Sequence, residues 1–154
     1  MRLKQASSTL ADLARRLVPA GDRRSERQST RTSTRLVFCS GKVYYDIAGH
    51  EARAQATQVA VARLEQLYPF PVDAYAALIA RYPNLREVVW AQEEPQNMGA
   101  WRTIRHRLEA PLKEAGVPLT LRRQTLAGRA RARAIPTAHL REQDRIVRAA
   151  LGTS

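Results

Sequence analysis

Ser40-Gly41-Lys42 stands directly after a short apolar run and opens a helical pattern. Free backbone N–H groups, the positive end of a helix dipole and one ammonium group favour an anion at such a turn. The G-x-x-x-x-G-K-[ST] frame of a P-loop is absent, and a tight turn is the other role open to Gly41. Cys39 precedes the turn. A thiol nucleophile needs a base beside it, and His50, His106 and His139 occupy no recognisable frame, so Cys39 reads as a small buried hydrophobe. Glu93 and Glu94 are adjacent carboxylates at a strand end. Neighbours in a strand point to opposite faces, which makes them a poor acid–base pair; pairing with arginine or with helix N-termini is the alternative. Arg122, Arg123, Arg129, Arg131 and Arg133 form the densest basic stretch, and no acid occurs between Glu114 and Glu142. Arg122 and the Gly128-Arg129 pair are candidates for holding a phosphate group, against the alternative of a solvated loop. The stretch has no aromatic residue for stacking bases. No His/Cys/Asp/Glu cluster has metal-ligand spacing, and no G-x-G-x-x-G is present.

These residues must be positioned by alternating elements. Leu36–Cys39, Val59–Leu64, Glu87–Gln92 and Leu119–Leu121 are apolar runs of strand length. Between and after them, Lys42–Arg53, Val72–Tyr82, Ala100–Ala115 and Thr137–Leu151 have helical spacing. Trp101, Ile104, Leu108 and Leu112 share one face of the third helix. Pro83-Asn84 ends the second, and Gly116 suits the end of the third. Short strands alternating with longer helices predict a mostly parallel sheet covered on both faces. Ligands of such sheets lie outside the carboxyl ends of the strands. That selects the loops Ser40–Lys42, Glu65–Pro71, Glu93–Gly99 and Arg122–Pro136.

The chain of 154 residues suits one domain, or a smaller domain with a tail. Its net charge of +12 raises nucleic acid, membrane surfaces and phosphate ligands as partners. The first 35 residues carry 9 basic and 3 acidic side chains, half of that excess. Residues 23–35 contain no hydrophobic residue, which predicts disorder. Leu10, Leu13 and Leu17 upstream have the spacing of a short amphipathic helix. The division is therefore a basic tail over residues 1–34 and a folded domain over 35–154. An Arg- and Ser-rich start also resembles an organelle transit peptide, which sets a mitochondrial matrix location beside a cytoplasmic one. No apolar run reaches the length of a membrane span. The single cysteine excludes an internal disulfide framework and fits a reducing compartment.

Three blocks carry a resemblance: Cys39–Asp46 (CSGKVYYD), Arg63–Pro71 (RLEQLYPFP) and Val89–Trp101 (VWAQEEPQNMGAW). In order and spacing they resemble the C-terminal domain of the first, decarboxylating component of the 2-oxoglutarate dehydrogenase complex. Leu126–Arg129 and His139–Leu151 extend the likeness, which covers residues 35–151. It implies a transketolase C-terminal-like, three-layer Rossmann-like α/β domain with a mostly parallel sheet. It also implies a part of an oxidoreductase of the tricarboxylic acid cycle. The parent enzyme uses thiamine diphosphate and magnesium and transfers succinyl to a lipoyl arm, but its cofactor and catalytic residues lie in preceding domains. The Gly-Asp-Gly frame that holds the metal and diphosphate is absent here. The resemblance therefore implies a structural or regulatory domain without catalysis of its own and with no cofactor of its own. It further implies a homodimer, or docking onto a catalytic partner chain, through Tyr44, Tyr68, Phe70, Glu93, Glu94 and Trp101. In some relatives this domain binds acetyl-CoA or an adenine nucleotide such as AMP. Lys42 and Arg129 match family positions, and Ser40, Gly41, Arg122 and Gly128 complete the anion candidates. Two departures stand out. Residues 1–34 do not resemble the family sequence, and the segment after Arg129 lacks the family's small-residue run. These suggest a truncated paralogue or a fragment of a split gene. Nucleic-acid binding through the basic tail ranks last.

Overall fold

The computed structural model describes residues 17–19, 30–94, 98–114, 120–124 and 136–153. Five strands form one sheet: β1 (Leu17–Pro19), β2 (Arg35–Cys39), β3 (Val59–Leu64), β4 (Glu87–Ala91) and β5 (Thr120–Gln124). Their order is β1-β3-β2-β4-β5. The β3-β2-β4-β5 pairings are parallel and β1 runs antiparallel to β3. The helices are α1 (Val43–Ala48), α2 (Val72–Ala80), α3 (Trp101–Glu114) and α4 (Pro136–Leu151), with a 3-10 turn at Glu51–Ala54.

The strands are apolar on both faces because both faces are covered. Leu36, Phe38, Ala60, Ala62, Leu64, Val88 and Trp90 pack with Tyr75, Leu78 and Ile79 of α2 and Ile104, Leu108 and Leu112 of α3. The alternate residues Val37, Cys39, Val59, Val61, Val89 and Ala91 pack with Val43 and Ile47 of α1 and with Val147, Ala150 and Leu151 of α4. The result is a three-layer, doubly wound α/β domain, as the sequence predicts. Trp90, Tyr75 and Phe38 are fully buried, each worth on the order of 1.5–3 kcal/mol or more of transfer free energy. The Tyr75 hydroxyl donates to the Leu108 carbonyl at 3.1 Å, tying α2 to α3 one turn from Pro111 inside α3.

The helix read over Lys42–Arg53 is two pieces. Gly49 caps α1, and His50 turns extended before the 3-10 turn begins. The His50 ring satisfies the Ala52 N–H, a local competitor to helix continuation. Leu17, read as the end of a helical stripe, lies in β1, and residues 30–32 are helical. Part of the segment set apart as a tail thus joins the sheet: β3's free edge supplies backbone partners that a three-residue periodicity does not reveal. β5 extends to Gln124, beyond the apolar run Leu119–Leu121 that marks it. At the end of α4, the Thr153 and Gly152 N–H groups bond the Arg148 and Ala149 carbonyls at 3.0 and 3.3 Å. Gly152, at φ +70, supplies the left-handed residue this closure requires.

Candidate functional site

β2 sends its chain to β3 on one side, while β4 lies on the other, so the carboxyl ends of β2 and β4 flank the point where the winding reverses. Ser40-Gly41-Lys42 leaves β2 there, and Gln92-Glu93-Glu94 leaves β4. Gly41 has φ +60, with open space where a Cβ would stand. Lys42 Nζ lies 2.6 Å from Asp46 Oδ2 and 3.2 Å from Glu93 Oε1. The ammonium is still largely solvent-accessible, but two carboxylates already hold its charge. Although burial opposes it, those bonds raise the Lys42 pKa. Sequence reasoning assigned Lys42 to an anion and Glu93 to an interface; the structure joins the two to each other. Glu94 is exposed.

Beside this pair lies a buried cation. Along β3, Val59 and Val61 face α1, and period-two alternation puts Arg63 on the same side. Its guanidinium stands 4.9 Å from the Tyr44 ring centroid and 5.1 Å from that of Tyr45. It donates to the Tyr45 hydroxyl and pairs with Glu65. Stacking against aromatic faces suits a planar guanidinium that water no longer covers. Cys39 lies opposite Arg63 in the β2–β3 register. Burial pushes its thiol up to about 12 despite the arginine, which leaves it protonated and inert.

Gln92 organises the β4–α3 loop. Its Oε1 accepts from Trp90 Nε1 at 2.8 Å and from the Trp101 backbone N–H at 3.1 Å. Its Nε2 donates to the Glu94 and Met98 carbonyls, each at 3.0 Å. The sequence hint for Gln92 and Arg63 is the same: a long polar side chain at an inward register position at the end of an apolar strand.

The interface candidates separate. Tyr68 is 80% exposed, whereas Phe70 is 8% and Trp101 5% exposed. Phe70 and Trp101 belong to the core, which corrects their place among the docking residues. Phe70 meets the Tyr75 ring edge-to-face with centroids 5.6 Å apart, and Trp101 occupies the apolar stripe of α3. Tyr44 is half-buried against the α1 layer. Arg122 lies in β5 opposite Val89. Gly128 and Arg129 lie outside the described residues, as do Arg131 and Arg133. Of the three histidines, His50 contacts Asp144 at 2.9 Å and His106 contacts Arg107 at 3.4 Å; neither meets Cys39 in a hydrogen bond.

A magnesium–diphosphate group needs free carboxylates facing the phosphates. Asp46 and Glu93, two acids beside the reversal point, both hold Lys42. Among the described residues no three His, Cys, Asp or Glu side chains gather around a common point. These residues do not fit such a group. Among the described residues, no helix is long and apolar enough to cross a membrane.

The layers and the strand order define a doubly wound α/β domain. The chain belongs to the family described as 2-oxoglutarate dehydrogenase C-terminal, whose model matches residues 8–151. The match begins inside the segment that sequence reading separates as a tail. Proteins called 2-oxoglutarate dehydrogenase E1 component are similar to it. The one from Coxiella burnetii is 44% identical over 110 residues, 70% of this chain and 12% of that protein. That from Exiguobacterium is 43% identical over 127 residues, covering 80% and 13%. That from Rickettsia felis is 41% identical over 128 residues, covering 80% and 12%. The chain thus spans about one eighth of the length of these relatives.

Proposed function

We propose that this chain serves as a structural or regulatory C-terminal domain of a thiamine-diphosphate-dependent, succinyl-transferring 2-oxoglutarate dehydrogenase, without catalysis of its own. The observation that carries this reading is the mutual satisfaction of the ionisable groups at the reversal point. Lys42 is held by Asp46 and Glu93, Arg63 by Tyr45 and Glu65, and the Cys39 thiol is buried. A general base or nucleophile needs a side chain poised near neutral pH and open to substrate. None of these groups meets that demand. Thiamine diphosphate and magnesium would be held by other domains, and this chain would act as a homodimer or docked onto a catalytic chain in the cytoplasm. Within the interface set, the exposure of Tyr68 and Glu94 supports that docking. The test is decarboxylation of 2-oxoglutarate by the purified chain with thiamine diphosphate and magnesium. No turnover is expected, and turnover above the protein-free rate overturns the reading.

A second reading is an acetyl-CoA or AMP site at the carboxyl edge. The open space around Gly41 favours it; the two carboxylates on Lys42 oppose it. Calorimetric titration with acetyl-CoA, AMP and CoA decides, since absence of heat with all three removes it. Nucleic-acid binding rests on net charge alone, and binding that survives deletion of residues 1–34 would contradict its tail version.

A further inference from the structure

The opposite, amino edge of the sheet carries a cleft of about 460 Å³. Its walls come from the turn before β3, the start of β4 and the closing turn after α4, with Arg35, Thr57, Gln58, Arg86, Glu87 and Thr153 among the residues lining it. Such a volume lies in the range of small-molecule sites. The charges in it do not cancel. Arg35 Nη2 pairs with Glu87 Oε2 at 2.7 Å, and the Arg35 Nε also donates to that oxygen at 2.7 Å. Arg35 Nη1 further donates to the Ala150 carbonyl at 3.4 Å. The negative end of α4, which would repel an anion, is thus capped by Arg35 and by the Thr153 and Gly152 N–H groups. Arg86 remains. Its backbone N–H bonds the Thr34 carbonyl, and its exposed side chain makes no ion pair among the described residues. Thr57, Gln55 and Gln58, whose hydroxyl and amide groups donate and accept, line the same cleft. At the carboxyl edge, by contrast, both Lys42 and Arg63 are already matched with carboxylates.

We propose that this cleft binds a small phosphorylated polyol. Arg86 takes the phosphate by a charge-assisted, two-pronged contact. Thr57, Gln55 and Gln58 meet the hydroxyl groups. The Arg35–Glu87 pair forms a neutral, rigid floor. The site is at the far end of the strands from the nucleotide reading above, and it stands whether or not the chain catalyses anything.

Calorimetric titration of the full chain with glucose 6-phosphate, inorganic phosphate and glucose tests it. Saturable binding of glucose 6-phosphate is expected, with phosphate weaker and glucose silent. Arg86→Gln should weaken the phosphorylated sugar by about tenfold or more, while Lys42→Gln leaves it unchanged. Thr57→Val should weaken glucose 6-phosphate more than phosphate. Arg86 and Thr57 are exposed, so melting curves should show both variants folded; if either fails to fold, competition of glucose 6-phosphate by phosphate on the unaltered chain decides in its place. No binding of glucose 6-phosphate, binding that Arg86→Gln leaves intact, or binding abolished by Lys42→Gln overturns the proposal.

Discussion

Gln92 Oε1 lies 3.1 Å from the backbone nitrogen of Trp101 and fixes the first turn of α3 to the end of β4. The same oxygen serves Trp90 Nε1, which is fully buried. Gln92→Ala removes one acceptor from two buried donors and two donors from the loop. The expected loss is about 2–4 kcal/mol. Urea unfolding should show a lower midpoint with an unchanged slope.

Gly152 and Gly41 both have positive φ, but their surroundings differ. A Cβ at Gly152 collides with the Arg35 guanidinium, whereas one at Gly41 meets nothing within 4 Å. Gly41→Ala should cost only the backbone term, about 1–2 kcal/mol. Gly152→Ala adds displacement of Arg35 from Glu87 and from the α4 terminus, so its melting temperature should fall further. Equal losses would show that the Arg35 contact contributes nothing.

Cys39 should be unreactive in the folded chain. Its thiol is raised from an ordinary 9.0 to about 12 by burial, which lowers the thiolate fraction about a thousandfold. Dithionitrobenzoate at mildly alkaline pH should label the urea-unfolded protein within minutes and leave the native protein unlabelled. Rapid native labelling would place Cys39 in solvent.

Acid should weaken the junction between α4 and the 3-10 turn. The His50 hydrogen bond, then the one from Arg148, hold the Asp144 carboxyl below its ordinary value of 3.8. A depressed folded pKa stabilises above the unfolded value and is lost as pH falls through the folded one. The urea midpoint should therefore drop as acid takes the pH down through and below the ordinary carboxyl value of 3.8, and Asp144→Asn should shrink that drop. The parent chain and the variant falling in parallel would exclude this contribution.

The parallel core was legible because it is written in local periodicities. Val59–Leu64 is a strand over the same six residues that its apolar run marks. Trp101, Ile104, Leu108 and Leu112 share the buried side of α3 as their spacing requires. The same stripe that identified the helix also held Trp101 in the core, which the interface assignment overlooked. What local pattern does not encode is pairing across distance. Lys42 and Glu93 are 51 residues apart, and only the β2–β4 register brings them together. The short β1 strand depends likewise on β3's edge, not on its own three residues. His50 broke the first helix through a ring-to-backbone bond that helical periodicity cannot register.

The placement of Pro19 at the end of β1 has a consequence for how copies of this chain meet. Proline has no amide hydrogen, and a three-residue strand offers little ladder beyond it. The sheet's outer margin on that side is a poor template for an incoming strand, so cross-chain fibril growth is discouraged where β3 alone would have invited it.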